Sequence, residues 1–181
     1  CLSLDECGVC GGDGSSCGLT PITDDNIHEA VDLWLSDEAS AEDTYGHISD
    51  WDVSNVTYMF AIFENAVTFN GDISAWDVSN VWNMDYMFGY ASSFNGDLSA
   101  WDVSSVMNMQ EMFTHASSFN GDLSSWDVSS VTYMAWMFSD ASSFNGDLSS
   151  WDVSSVFSMS WMFLGASALS EENKCLIHTS F

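Results

Sequence analysis

Aspartates at a fixed spacing are the residues of this chain with the clearest capacity for chemistry. In a column of stacked repeats their carboxylates would lie about 5 Å apart and would repel one another. Either backbone N–H groups within each turn satisfy them, or calcium binds between neighbours. The absence of a D-x-D-x-D-G loop favours the backbone interpretation. The candidate ligands for calcium, the alternative, are the aspartates of the Asn-Gly-Asp turns, Asp72, Asp97, Asp122 and Asp147.

Five cysteines carry the redox chemistry of the chain. Four of them, Cys1, Cys7, Cys10 and Cys17, lie in a glycine-rich segment that cannot build a core. We therefore predict a small knob with two disulfides in an oxidising, extracellular setting. A zinc site is the alternative, although only one C-x-x-C pair is present. We expect Cys175, the odd cysteine, to be either buried and free or bonded to another chain.

A row of apolar side chains forms a second candidate site, on the face of each repeat that should point away from the core. Its members are Trp82, Tyr86, Trp136, Phe157, Trp161 and Leu164. A face in contact with water would be charged, and Glu64 and Glu111 are the exceptions that follow that rule. A ridge of exposed apolar residues on consecutive repeats indicates a partner surface. Trp and Tyr suit contacts with proteins, and they also suit stacking on sugar rings.

The composition excludes several classes of partner. The 181 residues include one Lys or Arg against 27 Asp and Glu, a formal net charge of −26. Such a field repels phosphates, which excludes nucleic acid and anionic membrane surfaces. No apolar stretch is long enough for a transmembrane segment, and no signal segment opens the chain. Because residue 1 is Cys1 rather than Met, we expect a mature form or a fragment.

Catalytic motifs are missing from the sequence. The four histidines show no ligand spacing, and neither a G-x-S-x-G motif nor a Gly-rich phosphate loop is present. We therefore predict that the protein is not an enzyme. Asn55-Val56-Thr57 is the one N-x-[ST] sequon, which makes Asn55 a candidate site for an N-linked glycan.

A unit of 25 residues that occurs five times positions the repeated aspartates and the ridge residues. Trp-Asp-Val-Ser begins at Trp51, Trp76, Trp101, Trp126 and Trp151. A fixed short period is typical of a solenoid, in which each unit buries its apolar face against its neighbours. The repeated Trp and Phe residues are therefore expected to stack as ladders inside the core.

Each unit divides into a predicted helix and a predicted strand. In the second unit the apolar residues Val81, Met84, Met87, Phe88 and Ala91 follow a helical spacing. The stretch Leu-Ser-Ser-Trp-Asp-Val alternates as a short strand would. The predicted fold is an α/β repeat, a right-handed β/α solenoid of leucine-rich-repeat type with short parallel strands and short helices, capped at both ends.

Four segments follow from these patterns. Residues 1–18 form the cysteine-rich knob, and residues 19–46 form an N-terminal helical cap followed by a polar connector. Residues 47–169 form the solenoid of five repeats, and residues 170–181 form the C-terminal cap. The helix of the N-terminal cap is predicted over residues 22–35, where apolar residues fall on one face.

The repeat resembles that of a known family. The pattern V-x-x-M-x-x-M-F-x-x-A-S-S-F-N-G-D-L-S-S-W-D-V-S, with a lead-in over residues 26–53, resembles the BspA-like leucine-rich-repeat surface proteins. Residues 6–17 are similar to a segment of extracellular cysteine-rich modules. The resemblance implies a secreted or cell-surface protein used in adhesion or coat structure, and it implies no catalytic residues.

The sequence thus predicts a non-catalytic structural protein located outside the cell or at its surface. The first hypothesis is self-association, head to tail, into a surface layer or filament. The alternative is an adhesion module that binds glycans or a host protein through the outer aromatic ridge.

Overall fold

The computed structural model describes residues 18–180, with side chains to residue 177. Helix α1 spans Ile27–Ser36, helix α2 spans Glu38–Tyr45, and a single 3₁₀ turn spans Ile48–Asp50. A column of five repeats follows, and helix α3 spans Glu171–Ser180. We number the repeats 1 to 5 from their tryptophans, so that repeat 1 begins at Trp51. The predicted helix over residues 22–35 is α1, and the predicted connector contains α2.

The predicted fold class is wrong. Within the described part of the chain the repeats contain no helix and no extended strand, so this is not a β/α solenoid of leucine-rich-repeat type. Parallel pairing is limited to one isolated bridge between each pair of neighbouring repeats. The bridges join Tyr58 to Asn83, Asn83 to Asn108, Asn108 to Tyr133 and Tyr133 to Ser158. Each repeat is a coil of consecutive turns.

The hydrogen bonds of the backbone explain why the predicted helices do not form. An α-helix needs each N–H to bond the carbonyl four residues earlier. In repeat 2 the N–H groups of Met84, Tyr86 and Phe88 instead donate to carbonyls of repeat 3, over 2.9, 3.0 and 2.9 Å. Bonds three residues long, such as Met87 N–H to the Met84 carbonyl, close the turns between them. These backbone N–H groups therefore bond the next repeat instead of carbonyls of their own segment.

Two positions in every repeat adopt the left-handed backbone conformation, which interrupts a helix. In repeat 2 they are Tyr86, with φ of 57°, and Tyr90, with φ of 61°. Left-handed backbone costs an L-residue roughly 1–2 kcal/mol, so the bonds between repeats must offset this strain. The non-glycine members of the set are Ala61, Asn65, Tyr86, Tyr90, Glu111, His115, Trp136, Asp140 and Trp161.

Aromatic ladders fill the core, which confirms the predicted stacking. Phe69, Phe94, Phe119 and Phe144 form one column, with successive ring centroids 5.9, 6.0 and 6.2 Å apart. A second column of phenylalanines runs beside it, and Phe113 stacks on Phe119 at 4.0 Å. Such offset stacking adds about 0.5–1.5 kcal/mol per pair to the burial of each ring.

The tryptophans of the Trp-Asp-Val-Ser units connect each repeat to the part of the column that precedes it. Every Trp of the Trp-Asp-Val-Ser units is at most 4% exposed. The indole N–H of Trp101 donates to the Ile73 carbonyl over 3.1 Å, and that of Trp126 donates to the Leu98 carbonyl over 3.0 Å. Both partners lie 28 residues earlier in the sequence. The ring therefore supplies buried area and also satisfies a carbonyl near the end of the repeat two before its own.

At the N-terminal end of the column, side chains make the hydrogen bonds that the backbone of a preceding repeat makes elsewhere. The Asp24 carboxylate accepts bonds from the backbone N–H groups of Thr57 and Tyr58, over 2.7 and 3.2 Å. In later repeats a carbonyl of the preceding coil accepts these bonds. The ring Nε2–H of His28 donates to the Phe60 carbonyl over 2.8 Å, in place of a backbone N–H. Asp24, just before helix α1, thus supplies an acceptor to repeat 1, and His28 in α1 supplies a donor.

The C-terminal end is less completely covered. Helix α3 buries Ile177 against repeat 5, but a cavity of about 390 Å³ remains between them. Met159 and Phe163 line this cavity and are only half-buried, whereas their equivalents in repeats 2 to 4 are fully buried. No described residue accepts from the backbone N–H groups of this edge, which belong to Met159, Trp161, Phe163 and Gly165.

Candidate binding face

The predicted ridge residues lie on one side of the column, which we call the aromatic face. Phe157 is 81% exposed and Trp161 is 61% exposed, while Trp82, Trp136 and Leu164 are exposed to a lesser extent. Tyr86 is half-buried. Although the helices predicted to present these side chains do not exist, the turns still direct them outward, because the inward positions of each coil are occupied by the Val, Met, Phe and Ala residues of the core.

The predicted helical spacing did not identify several members of the aromatic face. Tyr58, Phe60, Tyr90, Met107 and Tyr133 are also exposed there. A signal for them is present in the sequence, because their positions change from repeat to repeat whereas the core positions keep one residue type. Variation among the repeats marks the outward positions without any assumption about the secondary structure.

The aromatic side chains of this face gather in two clusters. The first cluster lies on repeats 1 and 2, where Tyr58 lies 5.5 Å from Trp82 between ring centroids and Phe60 lies 6.4 Å from Tyr86. The second cluster lies on repeats 4 and 5. Its pairs are Trp136 with Trp161, stacked at 5.8 Å, and Tyr133 with Phe157 at 6.3 Å.

Polar and acidic side chains separate the two clusters. Glu111 in repeat 3 lies beside the Tyr86 hydroxyl. The ring of His115 stacks on Tyr90 at 4.6 Å and lies 3.6 Å from the Asp140 carboxylate. The middle of the aromatic face therefore combines rings with hydrogen-bond acceptors.

The carboxylate of Asp85, next to Tyr86 in repeat 2, has fewer hydrogen bonds than it can accept. One of its oxygens, Oδ1, is buried and has no hydrogen-bond partner in the described structure. Burial, together with the nearby Glu111 carboxylate, raises the pKa of Asp85 to about 6. Burial and the nearby Glu111 carboxylate also raise the pKa of Tyr86 far above its usual range. Ionised Asp85 therefore destabilises the folded protein at neutral pH.

Replacing Asp85 by asparagine is expected to stabilise the protein at pH 7. The folded-state pKa of about 6 lies above the ordinary value of 3.8, so any stability linked to protonated Asp85 is lost as the pH rises through this window. Because the carboxyl is partly exposed, solvent screening limits the gain in free energy of unfolding to about 1 kcal/mol. Urea unfolding of Asp85→Asn and the unmodified protein at pH 4 and pH 7 measures it. A gain of equal size at both values would contradict this explanation.

The repeated aspartates are satisfied by the backbone, as the favoured interpretation expected. The Asp97 carboxylate accepts the N–H of Ser99 over 2.9 Å, and Asp122 accepts that of Ser124 over 3.0 Å. The backbone and hydroxyl groups of these serines lower the pKa of each aspartate. The same contact occurs at the equivalent positions, at Asp52, Asp72, Asp77, Asp102, Asp127, Asp147 and Asp152.

The structure gives the calcium alternative no support. Across residues 18–177, no three or more His, Cys, Asp or Glu side chains are grouped closely enough to hold a metal ion. The Asp72, Asp97, Asp122 and Asp147 carboxylates instead each face a serine of their own turn.

The remaining candidate residues are placed as follows. Cys1, Cys7, Cys10 and Cys17 lie outside the described residues, together with the predicted disulfide knob. The thiol of Cys175 is exposed on α3 and free, so the expectation that it could be buried is wrong. The side chain of the sequon residue Asn55 is exposed. None of the helices between residues 18 and 180 has the length and apolar character needed to cross a membrane.

The fold and this face define a class of protein, a column of 25-residue turn-built repeats with an exposed aromatic side and no grouped catalytic residues in the described part of the chain. Residues 36–129 and residues 97–176 both match the family described as "Mycoplasma protein of unknown function, DUF285". The two matches together cover residues 36–176, so the chain belongs to the DUF285 family. No curated protein matches the chain, and no solved structure matches it.

Proposed function

We propose that this protein is a non-catalytic, BspA-like surface protein that acts outside the cell and binds a partner through its aromatic face. The partner is a glycan or a protein of a host surface. Membership of the DUF285 repeat family supports the assignment to this class of repeat protein.

The observation that carries this proposal is the exposure of large aromatic rings at strained backbone positions. Trp136 and Trp161 occupy left-handed backbone, with φ of 62° and 60°, and they stack on one another at the surface. Asparagine or glycine adopts this conformation with less strain. Every coil has left-handed backbone at this position, but packing inside the molecule does not require a Trp there. Exposed Trp pairs are typical of binding hot spots.

Arrays of glycans and of surface proteins test the proposal directly. Replacing both Trp136 and Trp161 by serine is expected to weaken binding to the recognised array members by tenfold or more, since each buried hot-spot ring contributes about 2 kcal/mol. Leu35→Ser is the matched control, because Leu35 is similarly exposed but lies on α1. If the double variant binds as the unmodified protein does, or if the unmodified protein binds nothing, the proposal is wrong.

Self-association into a layer or filament is the second candidate function, and the C-terminal end favours it. The edge of repeat 5 offers unpaired N–H groups beside an apolar cavity, and the exposed Cys175 thiol lies on the adjacent helix. The closure of repeat 1 by Asp24 and His28 weighs against simple continuation of one column by the next. Sedimentation with and without reductant distinguishes the candidates, because assembly raises the mass without any added partner.

A further inference from the structure

The aromatic face carries negative charge that no Lys or Arg of the chain neutralises, and the basic side chain that lies on it is His115, 3.6 Å from Asp140. Asp85, Glu111 and Asp140 all lie on it. The single Lys or Arg of the sequence is Lys174, which lies on α3 and pairs with Glu171 over 2.7 Å. A surface that joins aromatic rings to carboxylates without a Lys or Arg partner, in a protein with a net charge of −26, is complementary to cations.

Glu111 lies between aromatic residues of its own column. Tyr86, Glu111 and Trp136 occupy the same position in repeats 2, 3 and 4, which are successive coils. Backbone bonds hold them in register, from the Tyr86 N–H to the Gln110 carbonyl over 3.0 Å and from the Glu111 N–H to the Ala135 carbonyl over 2.9 Å. The Glu111 carboxylate, beside the Tyr86 hydroxyl, offers several acceptor sites to a ligand.

We propose that the partner of the aromatic face is an arginine-rich polypeptide segment, one of whose guanidinium groups binds the Glu111 carboxylate and stacks between Tyr86 and Trp136. This inference rests on the proposed function and names the chemistry of its partner.

The chemistry of arginine matches this position better than that of lysine or of a neutral sugar. Its planar guanidinium forms two parallel hydrogen bonds to a carboxylate and also stacks on aromatic rings. A guanidinium over a Trp or Tyr ring is attracted by the negative charge density of the ring face. A neutral sugar would stack on the rings and exclude water from this surface. It would leave the charges of Glu111 and Asp85 uncompensated there.

Titration calorimetry with a synthetic peptide of alternating Arg and Gly tests this inference. The salt concentration is about 0.15 M, at which exposed charges farther apart than about 8 Å are screened. The comparison peptide replaces each Arg by citrulline, which keeps the shape and removes the charge. Cellohexaose serves as the neutral oligosaccharide.

Two variants distinguish binding at Glu111 from nonspecific attraction to the net negative charge of the protein. Glu111→Gln removes one charge on the aromatic face, and Asp127→Asn removes one charge from an exposed aspartate of the Trp-Asp-Val-Ser column. The Kd for the Arg peptide is expected to rise about tenfold in Glu111→Gln and less than twofold in Asp127→Asn. Trp136→Ala is expected to raise this Kd about fivefold, and the citrulline peptide is expected not to bind.

Several results would overturn the inference. They are the absence of binding by the Arg peptide, equal weakening in Glu111→Gln and Asp127→Asn, and equal binding of the Arg and citrulline peptides. If cellohexaose binds in a manner that needs Trp136 and the Arg peptide does not bind, the inference is wrong while the proposed function stands.

Discussion

Replacing Trp101 by alanine is expected to lower the free energy of unfolding by about 3–5 kcal/mol. Trp101 lies in the central repeat and is 4% exposed, so its removal leaves a cavity between two coils. It also leaves the Ile73 carbonyl without the indole donor that lies 3.1 Å away. A buried carbonyl without a partner adds about 1–3 kcal/mol to the cost. Urea unfolding followed by circular dichroism measures the loss.

Two further variants resolve the contributions to this loss. Trp101→Phe keeps most of the ring but removes the donor, and it is expected to cost about 1–3 kcal/mol. Trp136→Ala removes a Trp from the exposed face and is expected to cost less than about 1 kcal/mol. If Trp136→Ala proved as costly as Trp101→Ala, the assignment of inward and outward positions would be wrong.

Deleting residues 101–125, one complete unit, is expected to leave a folded protein. Ala100 then joins Trp126, and every contact that spans 25 residues finds an equivalent partner in the shorter column. Because stability in a repeat array is approximately a sum over units and their interfaces, the variant loses stability but keeps cooperative unfolding. The dependence of the free energy of unfolding on urea concentration is expected to fall in proportion to the surface removed.

Deleting residues 101–113 is the matched control, and it is expected to abolish the cooperative transition. The half-unit that remains cannot complete a coil, so the donors of repeat 2 lose their acceptors and the column splits into two parts. Circular dichroism and size-exclusion chromatography report the difference. If both deletions unfolded alike, or if both folded alike, the 25-residue coil would not be the cooperative unit.

The period alone determined which side chains meet. Because the stacked rings of each column are equivalent residues 25 positions apart, the phenylalanine and tryptophan ladders follow from the spacing, as does the burial of the Val, Met, Phe and Ala residues. The same argument applies to the outward positions of Trp82, Trp136 and Trp161, which are exposed whatever backbone carries them.

The route of the backbone was not determined in this way. Apolar residues at Val81, Met84, Phe88 and Ala91 fit one face of a helix, and they fit equally a chain of four-residue turns. A local signal for turns did exist, since the side chain of Asn83 accepts the N–H of Asp85 over 2.9 Å and competes with a helix.

Only the tertiary structure decided where the backbone donors go. In a single repeat the N–H groups of Met84, Tyr86 and Phe88 could bond within their own segment, and a pattern of side chains does not distinguish the two outcomes. In the column they meet a row of carbonyls from the next coil, which satisfies all of them at once and offsets the left-handed strain at Tyr86 and Tyr90. The left-handed backbone that carries Glu111, Trp136 and Trp161 accompanies that pairing, whereas the predicted helices would have placed these residues on right-handed backbone.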